Sequence, residues 1–285
     1  MAALVYRPDV TLEDEQLAVT AALAGAAVVR ERFGGALGRV DKGGGDFATE
    51  ADVEAEKAIL GILREARPAD GVQGEETGRT GSPGASRVWL VDPLCGTLNY
   101  ATGTMTVAVN VALRVGDEVT AAAVADPFAR ETFWIAPDGT ARLRRGDGSD
   151  ELLRPSAEVG LVDVNLDPPF GGPPPHPVAR LVGDPEFLGR FRPRVLSTTL
   201  ALTWVAAGRR AAYVTEGADR HDSVHFAAGT ALCRAAGCVV TDLDGDPPRA
   251  GANGLIAAAD QATHAALRAI LTRPATTSAT SATAG

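Results

Sequence analysis

The chain has 285 residues, a formal net charge of −9 and 45% apolar residues. It can fill a large core, and its charge has the wrong sign for a phosphodiester backbone, which argues against nucleic acid as a partner. Its three cysteines, Cys95, Cys233 and Cys238, are an odd number without a paired Cys-x-x-Cys spacing, so a disulfide scaffold is excluded and a reducing cytoplasm is expected. No apolar run reaches bilayer-spanning length and the first residues lack a secretory leader pattern, so no membrane partner is expected.

Thr11-x-x-Asp14 reads as a capping-box start, and the Ala, Leu and Val run from Leu17 to Val29 predicts a helix that Gly34-Gly35 ends. A glycine-rich loop is expected at Lys42-Gly43-Gly44-Gly45-Asp46. Thr49-Glu50-Ala51-Asp52 opens a second helix, which carries Val53, Ile59, Leu60, Ile62 and Leu63 toward a core and is closed by Pro68. A short extended piece follows from Val72 to Glu75. Val88-Trp89-Leu90-Val91 predicts a buried strand with Asp92 at its end, Pro93 stopping the ladder and Gly96-Thr97 turning the chain.

From Thr106 onward, Val107 to Leu113, Val119 to Ala125 and Thr132 to Ala136 predict an antiparallel meander, with Pro137-Asp138-Gly139 as a hairpin turn. Arg145 to Glu158 is polar and reads as a loop or edge. A strand at Leu161 to Val164 leads into a connector, Pro168 to Pro175, too rich in proline and glycine for regular structure. Next come a helix at Leu200 to Ala207, a strand at Ala212 to Thr215 and a helix from Asp222 to Ala236. Strands at Val239 to Asp242 and Leu255 to Ala258, then a helix from Gln261 to Thr272, complete the order. The Thr, Ser and Ala tail from Pro274 is expected to be disordered. The class is α/β, with an α+β half over 1–158 and an α/β half over 159–273.

In an open α/β layer ligands bind beyond the strand ends, which is where Asp92 stands, and the free N–H groups of a helix opened by Gly96-Thr97 suit a phosphate. Taken alone, Glu75-Glu76 is an ordinary solvated acidic pair, and Thr49 with Asp52 an ordinary helix cap. Together they read differently. Asp92-Pro93-Leu94-Cys95-Gly96-Thr97-Leu98-Asn99-Tyr100 resembles the signature Asp-Pro-Ile/Leu-Asp-Gly-Thr-x-Asn-Phe/Tyr of the inositol monophosphatase family, with Cys95 in place of the second aspartate. Gly74-Glu75-Glu76 is similar to the family's Gly-Glu-Glu, and Asp46, Thr49 and Asp52 match its Gly-Asp-x-Val-Thr-x-x-Asp. The segment Leu202 to Val214 is similar to its Leu-Ala-x-Val-Ala-x-Gly-Arg-x-Asp-Ala-Tyr.

The resemblance covers roughly residues 12 to 270. It implies a layered αβαβα sandwich, a homodimer, and metal-dependent hydrolysis of a small phosphorylated metabolite with Mg²⁺ as the family's ion. By the same resemblance, Glu75, Asp92 and the Leu94 carbonyl hold the first metal, and Asp52 with Thr97 activates the attacking water. Gly96 and Thr97 receive the phosphate; Lys42, apart from the resemblance, reads equally as a charge-offsetting neighbour of the site and as a surface lysine. Ser197 falls where a serine lies beside the substrate, although Leu196 stands where glycine is usual. Glu216 falls near a substrate-contacting glutamate, although Thr215 aligns better.

The aspartate that completes the second metal site corresponds to Asp222 on one count and His225 on another, and the sequence leaves both open. On a helix beginning at Asp222 the two share a face. With His225, the second set becomes Asp92, Cys95 and His225, which suits Zn²⁺ or Mn²⁺ better than Mg²⁺. Two alternatives stand beside this. The family cleft has become a non-hydrolytic binding site around a buried neutral thiol, or Cys95 serves as nucleophile with His225 or His221 as base.

Overall fold

Side chains alternate along the strand Arg87–Cys95, with Trp89 and Val91 in one apolar cluster and Val88 and Leu90 in another. A strand buried on both faces lies inside a layered structure. The computed structural model describes residues 13–35, 38–43, 46–82, 84–167, 177–218, 223–248 and 253–273.

The first half runs α1 (Asp14–Arg32), β1 (Arg39–Gly43), β2 (Asp46–Thr49), α2 (Glu50–Ala66), β3 (Gly71–Gly74), β4 (Gly78–Thr80), β5 (Arg87–Cys95) and α3 (Thr97–Ala101). It continues through β6 (Ala108–Val115), β7 (Glu118–Asp126), β8 (Glu131–Ile135), β9 (Ala141–Arg144) and β10 (Asp150–Leu152). Asp14 and Glu15 open α1 and Arg30 and Arg32 close it, charges that suit the helix dipole. Its Ala-rich face packs closely on α2: a Cβ on Gly25 would stand 2.7 Å from Ile59 Cδ1. The expected cap at Thr11 lies outside the described residues, and Glu13, the residue before the helix, makes no side-chain cap.

Eight strands form one sheet in the order β10-β9-β8-β7-β6-β5-β3-β4. Its β5 to β10 portion is the expected meander, β3 runs parallel to β5, and β10 forms the edge within the polar stretch after Arg145. Two expectations are corrected here. The stretch around Lys42 carries an antiparallel hairpin, β1 with β2, although Gly44 and Gly45 lie outside the described residues. Pro93 does not end the ladder: Asp92 pairs with Asn110, the register shifts, and Cys95 pairs with Ala108.

The second half runs β11 (Leu161–Asn165), α4 (Pro177–Leu181), α5 (Pro185–Arg190), β12 (Arg192–Val195), α6 (Leu200–Ala206), β13 (Ala212–Ala218), α7 (Ala227–Ala235), β14 (Val239–Thr241), β15 (Asn253–Ala258) and α8 (Gln261–Leu271). Its five strands order as β12-β11-β13-β15-β14. Helices α4 and α5 are too short to show periodicity, and β12 is a polar edge strand that tolerates Pro193 because an edge leaves N–H positions unpaired. The described helix α7 begins at Ala227, so His225 precedes it in a turn and does not lie on a helical face. Asp222, His221, the Pro168 to Pro175 connector and the tail from Pro274 lie outside the described residues.

Three clusters fix the layers. One joins α1 and α2 to the eight-stranded sheet, the second places α6 and α7 between the two sheets, and the third covers the five-stranded sheet with α4, α5 and α8. The fold is the layered αβαβα sandwich. Among the described residues no helix is long and apolar enough to cross a membrane.

Candidate active site

Parallel strands end together, and β3 and β5 deliver their acids to one place. Gly74 pairs with Val91, and the Glu75 N–H donates to the Val91 carbonyl at 3.0 Å, so Glu75 and Asp92 leave neighbouring strands side by side. Alternation then sets the face. Asp92 follows Val88 and Leu90 toward the α6 and α7 layer, and Asn110, its partner across the ladder, follows Ala108 and Ala112. Gly74 points the other way. A Cβ there would meet the Glu56 carboxylate at 2.6 Å, and that carboxylate accepts the N–H groups of Glu76 and Thr77 at 2.8 Å each, holding the acidic turn in shape.

Helix α2 brings the third acid. Asp52 accepts the Thr49 N–H at 2.8 Å and the Thr49 hydroxyl at 2.5 Å through one oxygen, completing the helix cap. Its other oxygen accepts the Thr97 hydroxyl at 2.9 Å, with the Leu94 carbonyl 3.1 Å from the same hydroxyl. Asp52 is therefore both a cap and a partner of Thr97. Gly96, at φ 104°, makes the left-handed turn into α3, where a Cβ would crowd the Thr106 and Ser197 carbonyls.

Opposite these oxygens stands a thiol and imidazole wall. Residues three apart on a regular strand face opposite sides, but the register shift after Asp92 turns Cys95 to the same side. His225 Nδ1 lies 2.7 Å from Asp92 Oδ2, and one donor atom each from Asp92, Cys95 and His225 falls within 4.8 Å of the others. Thr199 ties the group together. Its N–H donates to Cys95 Sγ at 3.3 Å, its hydroxyl lies 3.0 Å from Sγ and 2.7 Å from the His225 carbonyl, and Asn110 Nδ2 donates to it at 2.9 Å.

The site is acidic. Burial and the Asp92 charge push Glu75 up to about 9, and burial raises Asp52. Burial works against the ionised form of Asp92, but the His225 charge and hydrogen bond, with contacts from Glu75 and Cys95, hold it below its usual value. Burial likewise opposes charge on His225, yet Asp92, Cys95 and Glu75 hold the imidazole well above its ordinary value. Burial and then Asp92 raise the Cys95 thiol. Lys42 bridges Glu75 at 3.1 Å and Glu76 at 2.7 Å, while Glu75 Oε2 is buried without a hydrogen-bond donor among the described residues. Oxygen donors of Glu75, Asp92 and Leu94 suit a hard divalent cation, and the Asp92, Cys95 and His225 set offers one oxygen, one sulfur and one nitrogen.

Most of the residues singled out in the sequence meet here: Asp52, Glu75, Asp92, Leu94, Cys95, Gly96, Thr97 and His225 converge, with Lys42 beside them. Ser197 joins through its backbone, its carbonyl accepting Asn99 Nδ2 at 3.0 Å. Glu216 is a half-buried residue of β13. Asp222 lies outside the described residues, so the contact with Asp92 that the structure shows is that of His225.

The sequence profile of the inositol monophosphatase family matches residues 12–274. The chain is a member of that family. It is 33% identical over 208 residues to an inositol-1-monophosphatase of Caulobacter vibrioides, covering 71% of this chain and 78% of the relative. It is 32% identical over 217 residues to the Nus factor SuhB of Pseudomonas aeruginosa, covering 72% and 75%. Among solved structures, the extragenic suppressor protein SuhB of Bartonella henselae superposes with a TM-score of 0.78 at 25% identity, over 90% of this chain and 98% of that one. An inositol monophosphatase of Anabaena gives 0.75 at 25% identity, over 92% and 96%.

Against the family signature, the oxygen side of the cleft is intact and the Cys95 side is changed. Sequence reasoning missed three residues that shape both sides: Glu56, Asn110 and Thr199. Glu56 had a signal, since Asp52 and Glu56 are acids one turn apart on a helix face otherwise made of Ala51, Ala55, Ile59 and Leu63. Asn110 is the single polar residue between Val107 and Leu113. Thr199 had none, because a threonine before a helix reads as a cap.

Proposed function

We propose that the protein hydrolyses a small phosphate monoester with the help of a divalent ion held by Glu75, Asp92 and the Leu94 carbonyl, at the seam between halves 1–158 and 159–273. The observation that carries this reading is the placement of buried Asp92 and half-buried Glu75 side by side at the ends of parallel strands, with Glu75 Oε2 buried and without a hydrogen-bond donor among the described residues. Burial and the Asp92 charge keep a proton on Glu75 that a divalent ion would displace, and oxygen donors favour Mg²⁺. Such an ion, when bound, stabilises charge on the phosphoryl oxygens and makes a nearby water more acidic.

The chain's own groups do the rest. The Thr97 hydroxyl donates its hydrogen bond to Asp52 and so turns a lone pair toward a water, aiming it at phosphorus; as the water attacks, its proton passes to Thr97 while the Thr97 proton moves to Asp52. Gly96 and Thr97 open α3 with N–H groups that have no intrahelical acceptor and face the phosphate. Lys42 offsets charge at the Glu75 side, and Ser197 and Glu216 border the rest of the substrate. Relatives named inositol-1-monophosphatase support an inositol phosphate as the first substrate to test. A cytoplasmic homodimer completes the reading, from the family resemblance and the cysteine usage.

Purified protein with Mg²⁺ is expected to release phosphate from inositol 1-phosphate or a sugar monophosphate, and Asp92→Asn to lower the rate by roughly a thousandfold, about 4 kcal/mol of barrier. No release from any monoester with Mg²⁺, Mn²⁺ or Zn²⁺ rejects the proposal. That result supports a second reading, a non-hydrolytic binding protein, which the hydrogen bond between His225 and Asp92 favours by already giving the buried carboxylate a partner.

A further inference from the structure

The second ion expected from the family is a hard one, and the residues facing Asp92 do not fit it. Mg²⁺ demands near-octahedral oxygen ligands and retains water, whereas this wall presents a thiol and an imidazole. We infer that Asp92, Cys95 and His225 bind one borderline-soft divalent ion of the Zn²⁺ class. The inference deepens the hydrolase reading and rests on it for the ion's purpose, though not for its binding.

Three observations carry it. The first is convergence. The donors come from both sides of the Asp92 register shift and from the turn before α7, and they lie within 4.8 Å of one another. Two ligands each about 2.1 Å from a tetrahedral ion stand roughly 3.4 Å apart, so the 2.7 Å contact between Asp92 and His225 opens by only about 0.7 Å to admit one.

The second is the support behind each ligand. Cys95 Sγ receives the Thr199 N–H at 3.3 Å, a donor that also serves a thiolate. Asp92 Oδ1 accepts the Leu94 N–H at 3.1 Å, and Asn110 Nδ2 reaches Asp92 Oδ2 at 3.3 Å and Thr199 Oγ1 at 2.9 Å. The His225 carbonyl is held by the same Thr199 hydroxyl. Thr199 thus braces Cys95 directly, the His225 backbone through its hydroxyl, and Asp92 through Asn110, as the outer hydrogen bonds of metal sites do.

The third is access. Three protein ligands leave a fourth position open, the pattern of a reactive zinc site and not a closed structural one. The His225 side chain is 40% exposed and borders a cavity of about 460 Å³ lined also by Gln73, Arg79, Leu90 and Arg114, so the imidazole is open to solvent.

The test loads the full chain with Co²⁺, a spectroscopic stand-in for Zn²⁺, and reads the sulfur-to-metal absorption band together with the metal content after dialysis. The unaltered chain is expected to show the band and to retain one thiolate-bound ion. Cys95→Ser loses the band although Cys233 and Cys238 remain, and Cys95→Asp shifts preference from Zn²⁺ toward Mg²⁺ by at least about tenfold. The spectrum of the unaltered chain stands whether or not a variant folds. A chain that binds Co²⁺ without the band, or keeps the band in Cys95→Ser, overturns the inference. The band without phosphate release under any ion sinks the hydrolase reading and leaves the site. Release with Mg²⁺ from a chain without the band does the reverse.

Discussion

On one side of Asp92 stand Asp52, Glu75 and Thr97, placed by a helix cap, the ends of two parallel strands and a sharp turn. On the other stand Cys95, Thr199 and His225, which meet because α6 and α7 pack against the eight-stranded sheet. The first side follows from short-range rules: Asp52 lies three residues from Thr49, and Glu75 one residue past β3. The second depends on Thr199, 104 residues from the thiol it braces. The lesson is that two walls of one cleft sharing a carboxylate can differ in chemistry, because different layers of the sandwich supply their partners. A change from oxygen to sulfur on the Cys95 side leaves the cap, Glu75 and Thr97 as they are.

The largest expected effect separates the roles of the oxygen wall. Thr97→Val should lower kcat by roughly two to four orders of magnitude with little change in Tm, since Asp52 keeps both bonds to Thr49. Asp52→Asn should add a stability loss of about 1 kcal/mol from the weakened cap. Phosphate release and thermal unfolding on both variants check this. If Thr97→Val costs stability and spares kcat, the oxygen wall is a cap and nothing more.

A smaller change should strike the other wall alone. Thr199→Val removes the hydroxyl beside Cys95 Sγ and the acceptor of Asn110, and should weaken Co²⁺ binding at the thiolate band by about 10- to 100-fold. Thr97→Val should leave that band unmoved. Co²⁺ titrations of the two variants measure whether the walls are independent, and a matching loss in both would show that they are not.

The smallest effect lies away from both walls. Glu131 on β8 receives Arg209 through two bonds of 2.6 and 2.8 Å, joining the eight-stranded sheet to the segment after α6. Arg209, then its charge and that of Arg145, holds the Glu131 carboxyl below its usual value of 4.5 despite burial. The pair therefore stabilises the fold above that ordinary value and is lost as pH falls through the lowered one. Glu131→Gln should cost about 0.5–1 kcal/mol at neutral pH, a difference that fades in acid, with phosphate release and the Co²⁺ band unchanged. Denaturant unfolding across pH reads it.

Much of this was legible in the residues. Short apolar runs placed β5, β6 and β7, and the Thr49 to Asp52 spacing gave the start of α2. What misled was local. Pro93 suggested a stop, yet the ladder continues because the register shift absorbs the proline. Asp222 looked like a helix start, yet Ser223 turns the chain so that α7 opens four residues later, at Ala227.

The sequence by itself determined the alternation that buries both faces of the central strands and the acids that follow them, because backbone periodicity and capping act between near neighbours. Only the tertiary structure decided that His225 meets Asp92, that Glu56 fills the space Gly74 leaves, and that Thr199 braces the thiol. Those contacts join segments brought together by layer packing, and hydrogen bonds between distant residues leave no repeating pattern in the chain to be read.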